Sequence, residues 1–144
     1  MLRVLDVGCG QRPRGTVNVD IQKQNALNFV RADSQHLPFR NRVFKKAVSH
    51  HTIEHVDNPE LMISEMKRVV NGTVEIVTPF LFSYDLTRIF RNSKEHKHWF
   101  LKKFFRKQGF NSTVKVRWRR PKVLMKNAPF WFPFLEIISH ETAF

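Results

Sequence analysis

The chain has 144 residues, 42% of them hydrophobic, which predicts one folded domain rather than a disordered chain. No apolar run reaches the about 18 residues of a membrane-spanning helix, no signal-peptide pattern begins the chain, and Cys9 is the single cysteine, so we expect a cytoplasmic protein without internal disulfides. The formal net charge of +13 is concentrated in residues 86–126, which contain 14 Lys or Arg and one acidic residue, whereas the remainder is balanced.

The N-terminal half of the sequence alternates short strand-like runs with turns. Strands are predicted over Leu2–Val7, Thr16–Asp20, Asn28–Ala32, Lys46–Ser49 and Thr73–Thr78. Only residues 8–15 separate the first two strands, and they include Pro13. A helix at this point is therefore predicted to be shortened to a loop or absent.

Two helices are predicted from apolar residues that recur at helical spacing. The first begins near Pro59 and is stopped by Asn71-Gly72, and the second covers Trp99–Gln108. Two further strands follow it, over Ser112–Trp118 and Leu135–Thr142. The order of elements predicts an α/β domain over residues 1–144 with a mainly parallel sheet of about seven strands, in which residues 1–85 form a neutral core and residues 86–144 a basic, aromatic part.

Three acidic residues lie at the ends of successive predicted strands. Asp6, Asp20 and Asp33 are therefore expected at the carboxyl edge of the sheet, where α/β proteins bind ligands. Gly8 and Gly10 would let the backbone approach a ligand closely. Asp20 could accept two hydrogen bonds from a ribose diol, and Asp33 could accept one from an adenine amino group. The alternative for each residue is an ordinary strand end or turn.

These motifs together resemble the class I S-adenosylmethionine-dependent methyltransferases, in particular a type 11-like subgroup with a short first loop. The segments that carry the resemblance are Leu5–Gly10 (LDVGCG), Val17–Asp20 (VNVD), Ala32–Ser34 with Leu37–Phe39, Phe44–Val56 (FKKAVSHHTIEHV) and Asn71–Phe80 (NGTVEIVTPF). The resemblance implies a Rossmann-like sheet with flanking helices, and S-adenosylmethionine as the cofactor.

The resemblance also implies the roles of individual residues. In the family, the glycine loop approaches the methionine part of the cofactor, the second acid binds ribose, the third binds adenine, and the residue after the fourth strand lies near the transferred methyl group. The cofactor-binding residues implied here are Asp6, Gly8, Gly10, Asp20, Asp33, Ser34 and His50. Because Arg12 or Pro13 stands where the family has a third small residue, Arg12 or Arg14 could contact the cofactor carboxylate.

The histidines after the fourth strand are the candidates for chemistry. His51 is the candidate general base, with a structural or cofactor-lining role as the alternative. Residues 51–55 also spell H-x-x-E-H, a zinc-protease pattern on a helix, but they fall in the predicted turn, and no metal is expected. A nicotinamide dehydrogenase is disfavoured, because Pro13 replaces the third glycine of G-x-G-x-x-G and Asp20 follows Gly8 too closely.

The basic segment suggests a partner. Residues Arg88–Lys126 interleave Lys and Arg with aromatic residues, which could bind RNA or an acidic partner; the alternative is that the aromatics are core and the charges a solvated face. The aromatic segment Ala128–Leu135 could cap the acceptor pocket, form a homodimer contact through Phe130–Leu135, or complete the core. The sequence therefore predicts a methyltransferase whose acceptor could be RNA, and the alternative is a non-catalytic RNA- or protein-binding module that keeps the fold.

Overall fold

The computed structural model describes residues 3–79, 97–119 and 132–142. These residues form one sheet and two helices. The strands are β1 (Val4–Val7), β2 (Val17–Asp20), β3 (Phe29–Arg31), β4 (Phe44–His50), β5 (Val70–Pro79), β6 (Asn111–Arg119) and β7 (Phe132–Thr142), and the helices are α1 (Pro59–Val69) and α2 (Lys102–Lys107). Within these ranges, no helix has the length and apolar character needed to cross a bilayer.

The seven strands lie in the order β3-β2-β1-β4-β5-β7-β6. The first five strands in this order are parallel to one another. Strand β7 is antiparallel to both β5 and β6. The predicted mainly parallel, Rossmann-like sheet of about seven strands is therefore confirmed. The strand order reverses between β1 and β4, because β2 and β3 lie on one side of β1 whereas β4 and β5 lie on the other. Such a switch point opens a crevice at the carboxyl ends of the strands.

The connection between β1 and β2 is a loop, as predicted. Residues 8–15 contain turns and bends, and Thr16 N–H donates to the Val4 carbonyl at 2.8 Å to start the β1–β2 pairing. The Val4 N–H in turn donates to the Thr16 hydroxyl at 2.9 Å. These two hydrogen bonds close the loop at its base without the helix that usually covers a parallel crossover.

Helix α1 begins and is anchored as its sequence indicates. Asn58 is the N-cap, and its side chain accepts a hydrogen bond from Leu61 N–H at 3.0 Å, while Pro59 occupies the first helical turn. The helix buries one face, which consists of Pro59, Met62, Ile63, Met66 and Val69. This face packs α1 onto the sheet beside β5.

Helix α1 ends at Val69, close to the stop predicted at Asn71-Gly72. Strand β5 begins at Val70, immediately after the helix, and both residues lie inside it. The pairing of β4 with β5 is irregular between Phe44 and Lys46, and a Cβ on Gly72 would lie 2.1 Å from the Lys45 carbonyl oxygen. The glycine is therefore needed for close approach of two backbones at a bulge, rather than for a helix stop.

The C-terminal elements differ from prediction in their limits. Helix α2 covers Lys102–Lys107 rather than Trp99–Gln108. It begins later than predicted because Leu101 has an extended backbone and forms the N-cap. Strands β6 and β7 are longer than predicted. Of the predicted basic segment, residues 88–96 and 120–126 lie outside the described residues. The predicted dimer contact also falls outside them, since residues 130–131 are not described and only the backbone of residues 132–135 is.

The hydrophobic core lies on one face of the sheet. Both helices contribute to a single cluster with the sheet residues, which joins the N-terminal strands to the C-terminal part of the chain; its members include Leu5, Val7, Val19, Ala47, Met62, Met66, Ile76, Phe100, Phe105, Phe110 and Ile137. Alternate residues of the same strands point to the opposite face. There Glu75 pairs with Lys46 at 2.9 Å and with His140 at 3.7 Å. These ion-paired side chains thus alternate along the strands with the residues of the cluster, and the buried Val48, Val77 and Ile138 lie on the same face as the ion pairs.

Candidate active site

A cavity of about 770 Å³ lies at the carboxyl ends of β1 to β4. The loops that follow these strands form its wall, as expected for the crevice at a topological switch point. Seven of the eight residues predicted to form the site line this cavity, namely Gly8, Gly10, Asp20, Asp33, Ser34, His50 and His51. The structure therefore brings together residues from four separate loops.

The glycine turn after β1 is tied to the end of β2. Gly8 N–H and Cys9 N–H both donate to the Val19 carbonyl, at 2.8 and 3.0 Å, and Gly10 N–H donates to Oδ2 of Asp20 at 2.9 Å. The other carboxylate oxygen of Asp20 accepts from Gln22 N–H at 2.9 Å. Asp20 therefore orders two loops of the cavity wall, and each of its oxygens keeps a second lone pair for a ligand.

The two glycines have different reasons for lacking a side chain. Gly8 has φ +72°, and a Cβ there would lie 2.1 Å from Oγ1 of Thr52, in the turn after β4. Gly10 has φ +52°, and no atom lies within 4 Å of its Cβ position. Gly8 is thus required for packing of the turn, whereas Gly10 leaves open space at the cavity.

Asp6 is the predicted site residue that does not line the cavity. Its side chain is fully buried, and Oδ2 accepts a hydrogen bond from Arg14 N–H at 2.7 Å. No residue in the described part of the chain donates to Oδ1. Burial raises the pKa of this carboxyl, although the Arg14 N–H and the Arg14 charge oppose the effect. Asp6 supports the loop from behind, since alternation along β1 points it away from Leu5 and Val7.

Sequence reasoning did not identify Asn18 as an organiser of the same loop. The Asn18 side chain is 1% exposed; it accepts from Gly15 N–H at 3.0 Å and donates to the Leu27 carbonyl at 2.8 Å. It thereby joins the loop after β1 to the segment before β3. The sequence does contain an indication of this role, since Asn18 is an amide between two valines of a predicted strand. A buried amide must find hydrogen-bond partners.

Asp33 and Ser34 form a compact turn after β3. Oδ1 of Asp33 accepts from Gln35 N–H at 2.9 Å, and Ser34 is 8% exposed. The Gln35 side-chain oxygen in turn accepts from Asn58 N–H at 2.8 Å, just before α1. The third acidic corner of the cavity is therefore held against the start of a helix that packs in the core.

The comparisons with known proteins agree with this architecture. The sequence model of the family described as "Methyltransferase domain" matches residues 5–77. The chain belongs to this methyltransferase family. It is a class I S-adenosylmethionine-dependent methyltransferase, and S-adenosylmethionine is its cofactor. No curated protein sequence matches the chain significantly.

Several solved structures share the fold. A Thermotoga maritima protein, described as an S-adenosylmethionine-dependent methyltransferase and possible histamine N-methyltransferase, has a TM-score of 0.71 at 18% identity; the match covers 96% of this chain and 81% of that one. The YcgJ protein of Bacillus subtilis has a TM-score of 0.71 at 14% identity, with coverage of 98% and 91%. An Archaeoglobus fulgidus S-adenosylmethionine-dependent methyltransferase has a TM-score of 0.67 at 17% identity, with coverage of 97% and 86%.

The cavity of this methyltransferase fits its cofactor in size and in donor chemistry. A volume of about 770 Å³ is within the usual range for small-molecule sites. The open space beside Gly10 would accommodate ligand atoms, and the remaining lone pairs of Asp20 suit a diol. Arg12 and Arg14 both line the cavity and offer positive charge to a carboxylate. The predicted alternatives, Arg12 and Arg14, are therefore both in place.

The two histidines of the methyltransferase site have opposite protonation states. Burial and the charge of Arg14 lower the pKa of His50, although Glu75, whose Oε1 lies 3.4 Å from the ring, opposes this. Burial also disfavours the charged form of His51, but the hydrogen bond to Glu136 and the nearby carboxylate of Glu54 outweigh it and raise the pKa of His51 to about 9. His50 is thus neutral and His51 charged at neutral pH.

The charge on His51 bears on its predicted role. A general base needs the neutral ring, which is present in about one molecule in a hundred at pH 7 when the pKa is about 9. The two glutamates responsible, Glu54 and Glu136, were not predicted as site residues. The segment 51–55 also forms turns rather than a helix, so it lacks the geometry of the H-x-x-E-H zinc motif.

Proposed function

We propose that the protein binds S-adenosylmethionine in the cavity at the carboxyl edge of the sheet and transfers its methyl group to an RNA acceptor. The observation that carries the methyltransferase part is the convergence of the glycine turn, Asp20, Asp33 with Ser34, and His50 on one cavity. Bound S-adenosylmethionine supplies a methyl group on a positively charged sulfur, which is already activated towards a nucleophile. The protein's task is then mainly binding and alignment.

Each wall of the cavity has a proposed task. Asp20 accepts hydrogen bonds from the ribose diol, with its carboxylate already oriented by Gly10 N–H and Gln22 N–H. The turn at Asp33 and Ser34 receives the adenine ring, and Ser34 is held nearly buried there. These groups are preorganised by backbone hydrogen bonds, so ligand binding need not order them.

The opposite end of the cavity receives the methionine part. Gly10 leaves room for it, and Arg14 supplies a positive charge for its carboxylate. Asp6 holds Arg14 in place through the Arg14 N–H, so it contributes to binding without touching the cavity. His50, a neutral ring after β4, lines the cavity beside the place proposed for the methyl group.

Binding of the cofactor is tested by calorimetry of the protein with S-adenosylmethionine. Asp20→Ala removes the acceptor proposed for ribose and the anchor of the glycine turn. We expect Asp20→Ala to lose about 2 kcal/mol of binding free energy, which is a roughly 30-fold weaker affinity for S-adenosylmethionine. Glu60→Ala, which removes an acidic residue exposed on the first turn of α1, is the matched control and should bind as the parent does. Parent protein that binds no S-adenosylmethionine, or Asp20→Ala that binds equally well, would overturn the proposal.

The RNA acceptor is supported by the charge around α2. Residues 97–119 contain eight Lys or Arg and no Asp or Glu. Four of these cations, Lys102, Lys103, Arg106 and Lys107, lie on α2, and none forms an ion pair with a carboxylate in residues 3–79, 97–119 or 132–142. Lys103, Arg106 and Lys107 are exposed. Such cations suit the phosphates of a nucleic acid.

RNA binding is tested by fluorescence anisotropy with a labelled single-stranded RNA over a range of salt concentrations. Arg106→Ala should weaken binding and lower the slope of log affinity against log salt by about 1. Lys45→Ala removes an exposed cation near the start of β4, at the end of the strand away from the cavity, and should leave the slope unchanged. Labelled-methyl transfer into separated RNA, protein and small-molecule fractions then identifies the acceptor class. Label found only in protein or small molecules would reject RNA and retain the methyltransferase.

A further inference from the structure

A histidine held between two buried carboxylates lies in the wall of the cavity. Nε2 of His51 is 3.0 Å from Oε1 of Glu136, and Nδ1 is 3.6 Å from Oε1 of Glu54. Glu136 is fully buried, Glu54 is 2% exposed, and the His51 side chain is 32% exposed towards the cavity it lines. Both nitrogens of one imidazole therefore face a carboxylate that is shielded from water.

Three strands contribute to fixing this ring. His51 follows β4 with φ +55°, and its N–H donates to the Val77 carbonyl of β5 at 2.8 Å. Glu136 belongs to β7, and Oε2 of Glu54 accepts from the Thr78 hydroxyl of β5 at 3.1 Å. A left-handed conformation at a residue other than glycine costs about 1 kcal/mol or more, so the surrounding contacts must hold it.

The two carboxylates determine the charge of the ring. Buried carboxylates are costly unless a cation pairs with them. A neutral imidazole has one N–H donor, whereas an imidazolium has two and can face a carboxylate on each side. Among the described residues, His50 from β4 also lies beside the ring, and burial lowers its pKa. His51 is therefore placed to balance charge between Glu54 and Glu136.

We propose that Glu136 and Glu54 are positioning residues that hold His51 as an imidazolium in the cavity wall, so that His51 does not deprotonate the acceptor, and that the acceptor presents a nitrogen lone pair of its own. This inference rests on the proposed methyl transfer. The lone pair forms the new nitrogen–carbon bond, the electrons of the carbon–sulfur bond remain on sulfur, and any proton on the nitrogen passes to water. In RNA, an unprotonated ring nitrogen of a base meets this requirement.

The charge on His51 is measured by NMR titration of the histidine ring carbons and protons. The chain has seven histidines, so the His51 resonance is assigned by its loss in His51→Asn. Glu136→Gln removes one carboxylate with little change in volume and should lower the pKa of His51 by about 1 unit or more. Glu141→Gln on the same strand removes a carboxylate that instead pairs with Lys67 at 2.6 Å, and should leave His51 unchanged.

Either of two results would overturn the proposal that Glu54 and Glu136 hold His51 charged. The first is a His51 pKa near its ordinary value in the parent protein, and the second is a His51 pKa that Glu136→Gln leaves unchanged. If Glu136→Gln does not fold, Glu54→Gln is subjected to the same measurement. Whether His51 deprotonates the acceptor is tested by the rate of labelled-methyl transfer to RNA between pH 7 and 8. We expect a flat profile; a base of pKa about 9 would give a nearly tenfold rise per pH unit, and such a rise would reject the proposal. Absence of transfer at any pH would reject the proposed function, while the NMR titration would still show whether Glu54 and Glu136 hold His51 charged.

Discussion

Alanine at Gly8 and at Gly10 should have different consequences, although the two glycines are two residues apart and both have positive φ. At Gly8, the new methyl group would lie 2.1 Å from Oγ1, 2.4 Å from Cγ2 and 2.7 Å from Cβ of Thr52. Overpacking of this kind costs about 1 to 3 kcal/mol, and the left-handed backbone adds about 1 kcal/mol more. Gly8→Ala should therefore lose about 3 kcal/mol of the free energy of unfolding.

At Gly10, the backbone cost alone remains, because no atom lies within 4 Å of the Cβ position. Gly10→Ala should lose about 1 kcal/mol of stability. Its methyl group would enter the space proposed for the methionine part of the cofactor, so the affinity for S-adenosylmethionine should fall more than stability does. Chemical denaturation followed by circular dichroism measures the first quantity, and calorimetry measures the second.

A double variant separates overlap from backbone strain. Thr52→Gly removes the atoms that the Gly8→Ala methyl group would meet, so the combined variant should be more stable than the sum of the two single changes predicts. If the two changes are simply additive, or if Gly8→Ala and Gly10→Ala cost the same stability, then the contact with Thr52 does not account for the glycine at position 8.

Three further predictions concern stability. Asn58→Ala removes the side chain that accepts from Leu61 N–H and should cost about 1 kcal/mol of the free energy of unfolding, measured in urea. Asp6→Asn keeps an acceptor for Arg14 N–H but removes a buried charge, whose carboxyl pKa is raised mainly by burial; the protein without ligand should therefore gain about 1 kcal/mol at pH 7, and a loss of stability would contradict the assignment. Because the folded pKa of His51 is raised to about 9, its stabilising contribution is complete below the ordinary value of 6.5 and is lost as pH rises to about 9. Urea midpoints should fall over this window, and a midpoint that rises over the same window would refute the sign.

The features that sequence reasoning predicted are those that depend on neighbours along the chain. Asp20 and Asp33 were placed at the cavity because acids that end parallel strands share one edge of the sheet. The absent helix after β1 followed from the short distance to β2. Asp6 was assigned to the same group, but its place within the alternation of β1 puts it behind the cavity wall.

The features that sequence reasoning missed depend on residues distant in sequence. The need for Gly72 comes from the Lys45 carbonyl of β4 at an irregularity in the pairing of β4 with β5, which no pattern around Asn71-Gly72 reveals. Glu136 meets His51 across 85 positions, and only the placement of β7 beside β5 brings them together. The protonation of His51 could therefore not be derived from the H-x-x-E-H segment alone.

The insertion of β7 between β5 and β6 has a consequence for synthesis of the chain. Strand β6 emerges from the ribosome before β7, yet among the described strands it pairs only with β7. Its backbone groups must wait for Phe132–Thr142 before they can pair, and until then β5 also has one unpaired edge. Glu136 arrives on the same strand, so His51 gains the second of its two buried carboxylates only after β7 has emerged. The interval before β7 emerges is thus the period in which the nascent chain most exposes strand edges to aggregation or to chaperones.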